Sequence, residues 1–237
     1  MILIYKDEGA SLDSVNALLN SFKDTEAKTV SGFDLQNTAW ISHTRLLIIP
    51  GGKSVPFYEK LGAAGNKNIV AFVEQGGCYL GLCAGAYYAS KETIFANGLP
   101  LELHLPGELN FFQGRAIGPV FADETFAYAS EAGARVVDIT WQDQQLYSLY
   151  FNGGCYFENA SDFKNVEILA HYTAKKLPAI VKCAIGKGCA ILSGVHPELS
   201  FETVPDDSNT HHQTLRKSLL LVDENRKRLW SALLRRA

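Results

Sequence analysis

Cys83 lies between Gly81 and Gly85 in the stretch YLGLCAGAYYAS, residues 79–90. An apolar run leads into it and small residues lead out of it. Such a pattern suits a sharp strand-to-helix turn that lifts a nucleophilic side chain into a cleft, because only small neighbours fit around so crowded a backbone. The start of the following helix would favour a thiolate, the attacking form of the side chain, and the Ala84 N–H would point at a developing oxyanion. On this stretch alone, a buried cysteine that packs as a small hydrophobe is an equally good reading.

A nucleophilic thiol needs a base, and the base needs a group that orients it. LSGVHPELS supplies His196 and Glu198 just after the apolar run 189–195. If that run neighbours the one before Cys83, the imidazole can face the thiol while Glu198 sets its tautomer. LLIIPGGKS ends another apolar run in Pro50, Gly51 and Gly52, where bare backbone lets a ligand come close, and the Gly52 N–H is a second candidate oxyanion donor. GGKS is not the end of a phosphate-binding loop, since Leu47 stands where that motif needs glycine. Weaker candidates for substrate contact are Gly51, Glu8, Asn152, Gly153 and Gly154.

These groups need a scaffold that brings strand ends together. Short apolar runs recur at 1–5, 45–50, 78–82, 135–141, 146–151, 179–185 and 189–195, and the early ones are continuous, as in strands covered on both faces. Helical periodicity falls between them, with Leu12, Val15, Leu18 and Leu19 on one stripe and a similar pattern over 66–75. Alternating strands and helices imply an α/β fold whose sheet is mostly parallel and flanked by helices, with reactive groups gathered at the strands' carboxyl ends. The Pro- and Gly-punctuated stretch 98–165 is expected to be an inserted antiparallel section of one 1–237 domain. Residues 209–235 form an amphipathic helix whose cations, Arg226, Lys227, Arg228, Arg235 and Arg236, fit a solvated helix end.

Composition narrows the function classes. The chain has 237 residues, is 47% hydrophobic and carries a formal net charge of -3, so it can fill a core but offers no basic face for nucleic acid. No apolar run approaches the roughly 18 residues a membrane span needs. Five cysteines scattered through apolar segments, and an N-terminus that reaches Lys6 and Asp7 too soon for a signal peptide, fit reduced thiols and a cytoplasmic location. Cys183 and Cys189 lack zinc-knuckle spacing, so no metal and no cofactor is expected. His211 and His212 suit a helix start, and Tyr87 and Tyr88 suit packing of a helix onto the sheet.

Strand then Pro-Gly-Gly, Gly-Leu-Cys-Ala-Gly, and His-Pro-Glu, in that chain order, resemble the class I glutamine amidotransferase-like superfamily, whose fold is flavodoxin-like. The 45 residues from LLIIPGGKS to GAYYAS, with FNGGCYF at 151–157, look like the amino-terminal domain of biotin-protein ligases and its free-standing bacterial relatives. The resemblance implies a Cys83, His196 and Glu198 triad acting on a small amide or acyl substrate, with a separate acceptor or synthetase subunit as a partner. A Gly-Arg-Gly-Arg type loop for biotinyl adenylate is absent, so ligation of biotin is not expected. The expected activity is cleavage or transfer at a C–N bond through a thioester, and the alternative is a non-catalytic ligand-binding or regulatory module.

Overall fold

The computed structural model describes residues 1–99, 101–121 and 130–237, so Pro100 and residues 122–129 of the expected insertion lie outside the described residues. The first half of the chain alternates as its sequence implies. It runs β1 (Ile2–Tyr5), α1 (Leu12–Ser21), β2 (Ala27–Val30), α2 (Gly32–Leu35), β3 (Leu46–Ile49), α3 (Val55–Glu74) and β4 (Cys78–Leu82). β1, β3 and β4 are buried along their whole length, which is why their sequences are unbroken apolar runs. One core cluster packs α3 and the segment after β4 on one side of the sheet, and a second packs α1 and the C-terminal helix on the other.

The helix after Cys83, α4 (Ala84–Tyr88), is only five residues long and runs straight into β5 (Ser90–Phe95). Then come β6 (Leu103–Pro106), β7 (Phe112–Gly118), β8 (Arg135–Trp141), β9 (Leu146–Phe151), β10 (Tyr156–Phe157), β11 (Val166–Tyr172), β12 (Pro178–Ile185), β13 (Gly188–Ser193) and α5 (Thr210–Leu234). The large sheet has nine described strands in the order β2-β1-β3-β4-β13-β12-β11-β8-β9.

The expectation of a mostly parallel sheet is corrected by this order. From β2 to β13 every neighbouring pair is parallel, and from β13 to β9 every pair is antiparallel. The cause is connection length. Early strands are joined by helical crossovers, whereas β12 to β13 and β8 to β9 are joined by tight turns that can link only antiparallel neighbours. The stretch 98–165 supplies antiparallel pairs, β8–β9 and β7–β10, and divides them between two sheets. Its β8–β9 hairpin extends the large sheet, while β6, β7 and β10 join β5 in a separate sheet of order β10-β7-β5-β6, within which β5 and β7 are parallel. Thr93 and Phe95 of β5, with Leu103 and Leu105 of β6, line the same cavity as Cys83.

Candidate active site

β3, β4 and β13 are adjacent and parallel, so Gly51 and Gly52, Cys83, and His196 all emerge at the same edge of the sheet. Cys83 has φ 47° and ψ -100°, a conformation strained for any residue with a Cβ, at a cost of about 1–3 kcal/mol. Its neighbours explain how the turn closes. A Cβ on Gly81 would lie 2.6 Å from the Gly85 carbonyl oxygen, and one on Gly85 would lie 2.2 Å from that of Ile49. The Cys83 N–H donates to the Ser193 carbonyl at 2.8 Å, which ties the turn to the end of β13.

His196 and Glu198 are both buried. Nδ1 of His196 lies 2.8 Å from Glu198 Oε1, which leaves Nε2 for Cys83. Glu198 Oε1 also accepts the Ser14 hydroxyl at 2.7 Å, while Oε2 is buried with no hydrogen-bond partner among the described residues. Burial alone would push the imidazole pKa down. The Glu198 charge and hydrogen bonds to Cys83 and Glu198 outweigh that and raise it to about 10, so His196 is an imidazolium at neutral pH. Gly51 makes room for this ring, since a Cβ there would lie 2.4 Å from His196 Cε1.

Cys83 and His196 open onto a cavity of about 310 Å³, which Gly52, Ala84, Asn152 and Gly153 also line. Ala84 is the first residue of α4, so its N–H is one that a helix leaves without an internal partner. α4 is only five residues long, so its dipole at Cys83 is weaker than that of a full helix. The Cys83 thiol lies 3.9 Å from the Asn152 carbonyl oxygen, and the Asn152 side chain donates to the Ser130 carbonyl. The Gly153 carbonyl accepts the Tyr87 hydroxyl at 2.9 Å. Tyr87 both packs α4 and lines the cavity.

Two weaker candidates lie elsewhere. Glu8 does not line the cavity but pairs with Lys60 at 3.1 Å on the surface. Gly154 packs against Gly194, where a Cβ would meet the carbonyl oxygen at 1.7 Å, so it serves the backbone crossing and not the cavity.

The whole chain, residues 1–237, matches the family described as biotin-protein ligase, N terminal. The chain belongs to that family. It is 36% identical over 209 residues to an uncharacterized protein of Chlamydia muridarum, covering 83% of this chain and 80% of that one. It is 35% identical over 219 residues to the biotin-protein ligase of Schizosaccharomyces pombe, covering 86% of this chain but only 34% of the yeast protein. Among solved structures, a glutamine amidotransferase superposes with a TM-score of 0.61 at 20% identity, covering 84% of this chain and 91% of that one. PurLQS from Thermotoga maritima superposes at 0.52 and 15% identity, covering 92% and 96%. These likenesses show a glutamine amidotransferase-like fold. No described helix is long and apolar enough to cross a membrane.

Several residues at the site carry no sequence signal. Ser14, which holds Glu198, lies on the buried face of α1, whereas Leu12, expected there, is 64% exposed. Tyr150 accepts the His196 N–H at 3.0 Å and sets its ring edge-on to the imidazole. Arg226 is the clearest departure from a solvated helix end. It is buried, donates to Asp223 at 2.8 Å and donates to the Pro197 carbonyl at 2.8 Å, between His196 and Glu198. His211 and His212 sit at the start of α5 as expected, where both contact Glu131, a cavity-lining residue. For Arg226 the sequence offers one hint, Asp223 one turn before it.

Proposed function

We propose that the chain opens a C–N bond through a thioester on Cys83, as an amidase or acyl transferase of amidotransferase type. The observation that carries this reading is the buried chain from Glu198 through His196 to Cys83 at the head of a cavity. With the proton of the pair already on His196, the sulfur of Cys83 attacks the carbonyl carbon of a small amide or acyl substrate. The oxygen takes up negative charge facing the N–H groups of Gly52 and Ala84. His196 then protonates the leaving nitrogen, the C–N bond breaks, and a thioester remains. Water, or the nitrogen of an acceptor on a separate subunit, attacks that thioester while His196 takes the incoming proton, and the sulfur leaves. Glu198 and Ser14 hold the imidazole in place throughout.

The test is to incubate the protein with glutamine and a panel of small amides and to follow intact mass. An acyl adduct on Cys83 that is lost in Cys83→Ser supports the reading. The second reading is a module that holds a ligand without chemistry, favoured by a Cys83 that is only 6% exposed. Ligand-dependent stabilisation with no adduct, and no loss of binding in Cys83→Ser, would select it.

A further inference from the structure

Away from this site, two other cysteines meet. Cys78 opens β4 and Cys189 lies near the start of β13, and the two are paired directly across these parallel strands with their sulfurs 3.3 Å apart. Neighbouring strands run about 4.8 Å apart, inside the range of about 4.4–6.8 Å that disulfides span between Cα atoms. Cys83 is five residues on, just past the end of β4, about 16 Å away at the rise of an extended strand. We infer that Cys78 and Cys189 form a reversible dithiol–disulfide site, in which Cys189 attacks a small-molecule disulfide of the glutathione class and Cys78 resolves the product.

The asymmetry of the pair assigns these roles. Cys189 is half-buried and Cys78 is buried, so only Cys189 can be reached from solvent. The hydrogen bond shared with Cys78, with the charge of Lys182 assisting against burial, lowers the Cys189 thiol to about 7, close to the optimum for an attacking thiol. Cys78 keeps its proton because its bond to Cys189 and its burial both raise its pKa, against the opposing charges of Lys182 and Arg45. Cys183 lies on the other face of the hairpin, where burial raises it to about 12, and takes no part.

The steps balance with glutathione disulfide as oxidant. The Cys189 sulfur bonds to one glutathione sulfur, the S–S bond of the oxidant breaks, and one glutathione thiol leaves with the Cys189 proton. The Cys78 sulfur then attacks Cys189, a second glutathione thiol leaves with the Cys78 proton, and a Cys78–Cys189 disulfide remains. The sulfurs need approach by only about 1.3 Å to reach a bond of about 2.05 Å. Such a link would fasten the two strands whose far ends carry Cys83 and His196, without using either residue.

The experiment uses the full chain and its Cys83→Ser variant in buffers of fixed glutathione to glutathione disulfide ratio, read by intact mass and peptide mapping. Both proteins should lose two hydrogens in the oxidised buffers, with the peptide of Cys78 joined to that of Cys189, and regain them on reduction. Cys189→Ser should abolish the change, whereas Cys78→Ser should hold one glutathione on Cys189. Peptide-level alkylation of the reduced protein against pH should show Cys189 reacting with a midpoint near 7. Linked peptides that pair other cysteines, no mass loss in Cys83→Ser, or a Cys189 that alkylates only in the range of an ordinary thiol would each overturn the inference.

Discussion

Gly51→Ala tests the candidate site by adding one methyl group where the His196 ring lies. No backbone strain is involved, because Gly51 is not among the positive-φ residues. The new Cβ would meet His196 Cε1 at 2.4 Å, whereas carbon atoms pack at about 3.5–4.0 Å, so the ring must retreat by more than about 1 Å. It has little space to do so. Nδ1 is held 2.8 Å from Glu198, and the Tyr150 ring centroid stands 5.6 Å from that of the imidazole. A retreat of this size breaks the Glu198 bond or withdraws Nε2 from Cys83. A misplacement of about 1 Å costs on the order of a hundredfold in an acyl-transfer rate, and overpacking costs about 1–3 kcal/mol of stability. The assay is iodoacetamide labelling of Cys83 at neutral pH in a Cys189→Ser background, so that only one reactive thiol is counted, beside urea unfolding. Labelling should fall to the level of His196→Ala. In a double-mutant cycle the stability cost of Gly51→Ala should shrink to within about 0.5 kcal/mol once His196 is alanine. A folded Gly51→Ala protein that labels Cys83 at the unmodified rate, or that loses as much stability without His196 as with it, would refute the packing argument.

Stability should also depend on pH through His196. Its folded pKa, raised to about 10, lies above the unfolded value of about 6.5, so its contribution of a few kcal/mol is complete below pH about 6.5 and is lost as pH climbs towards 10. Urea midpoints across that window should fall in the unmodified protein and stay flatter in His196→Ala. Ser14→Ala should cost about 2 kcal/mol, typical of a bond to a charged group, and should slow Cys83 labelling by disordering Glu198, as measured by the same labelling assay. Arg226→Ala should cost about 3 kcal/mol in urea unfolding, because it strips a buried ion pair and frees the Pro197 carbonyl.

Strand ends were legible because their signal is local. β1, β3 and β4 are continuous apolar runs and β13 is largely one, and Gly52, Cys83 and His196, which follow β3, β4 and β13, line one cavity. Sheet direction was not legible, since antiparallel pairing of β11 and β12 depends on which strands are neighbours, a long-range property that neither strand's pattern records. β2 escaped notice because two of its four residues are exposed at the sheet's edge. Ser14 and Arg226 were missed for a related reason. A polar residue on an amphipathic helix reads as solvent-facing unless its buried partner is known, and both partners lie in the distant His196–Glu198 turn.

That turn shows why so much of the chain bears on so few atoms. His196, Pro197 and Glu198 are consecutive, yet each is held by a different element. β9 accepts the His196 N–H through Tyr150, α5 donates to the Pro197 carbonyl through Arg226, and α1 donates to the Glu198 carboxylate through Ser14. A short turn has too few internal bonds to fix an imidazole against a neighbouring thiol, so the restraint has to come from elements folded around it. The β8–β9 hairpin and the C-terminal helix, neither of them among the parallel strands, are therefore supports of the site. The family match over residues 1–237 includes all three anchoring elements, from α1 to α5.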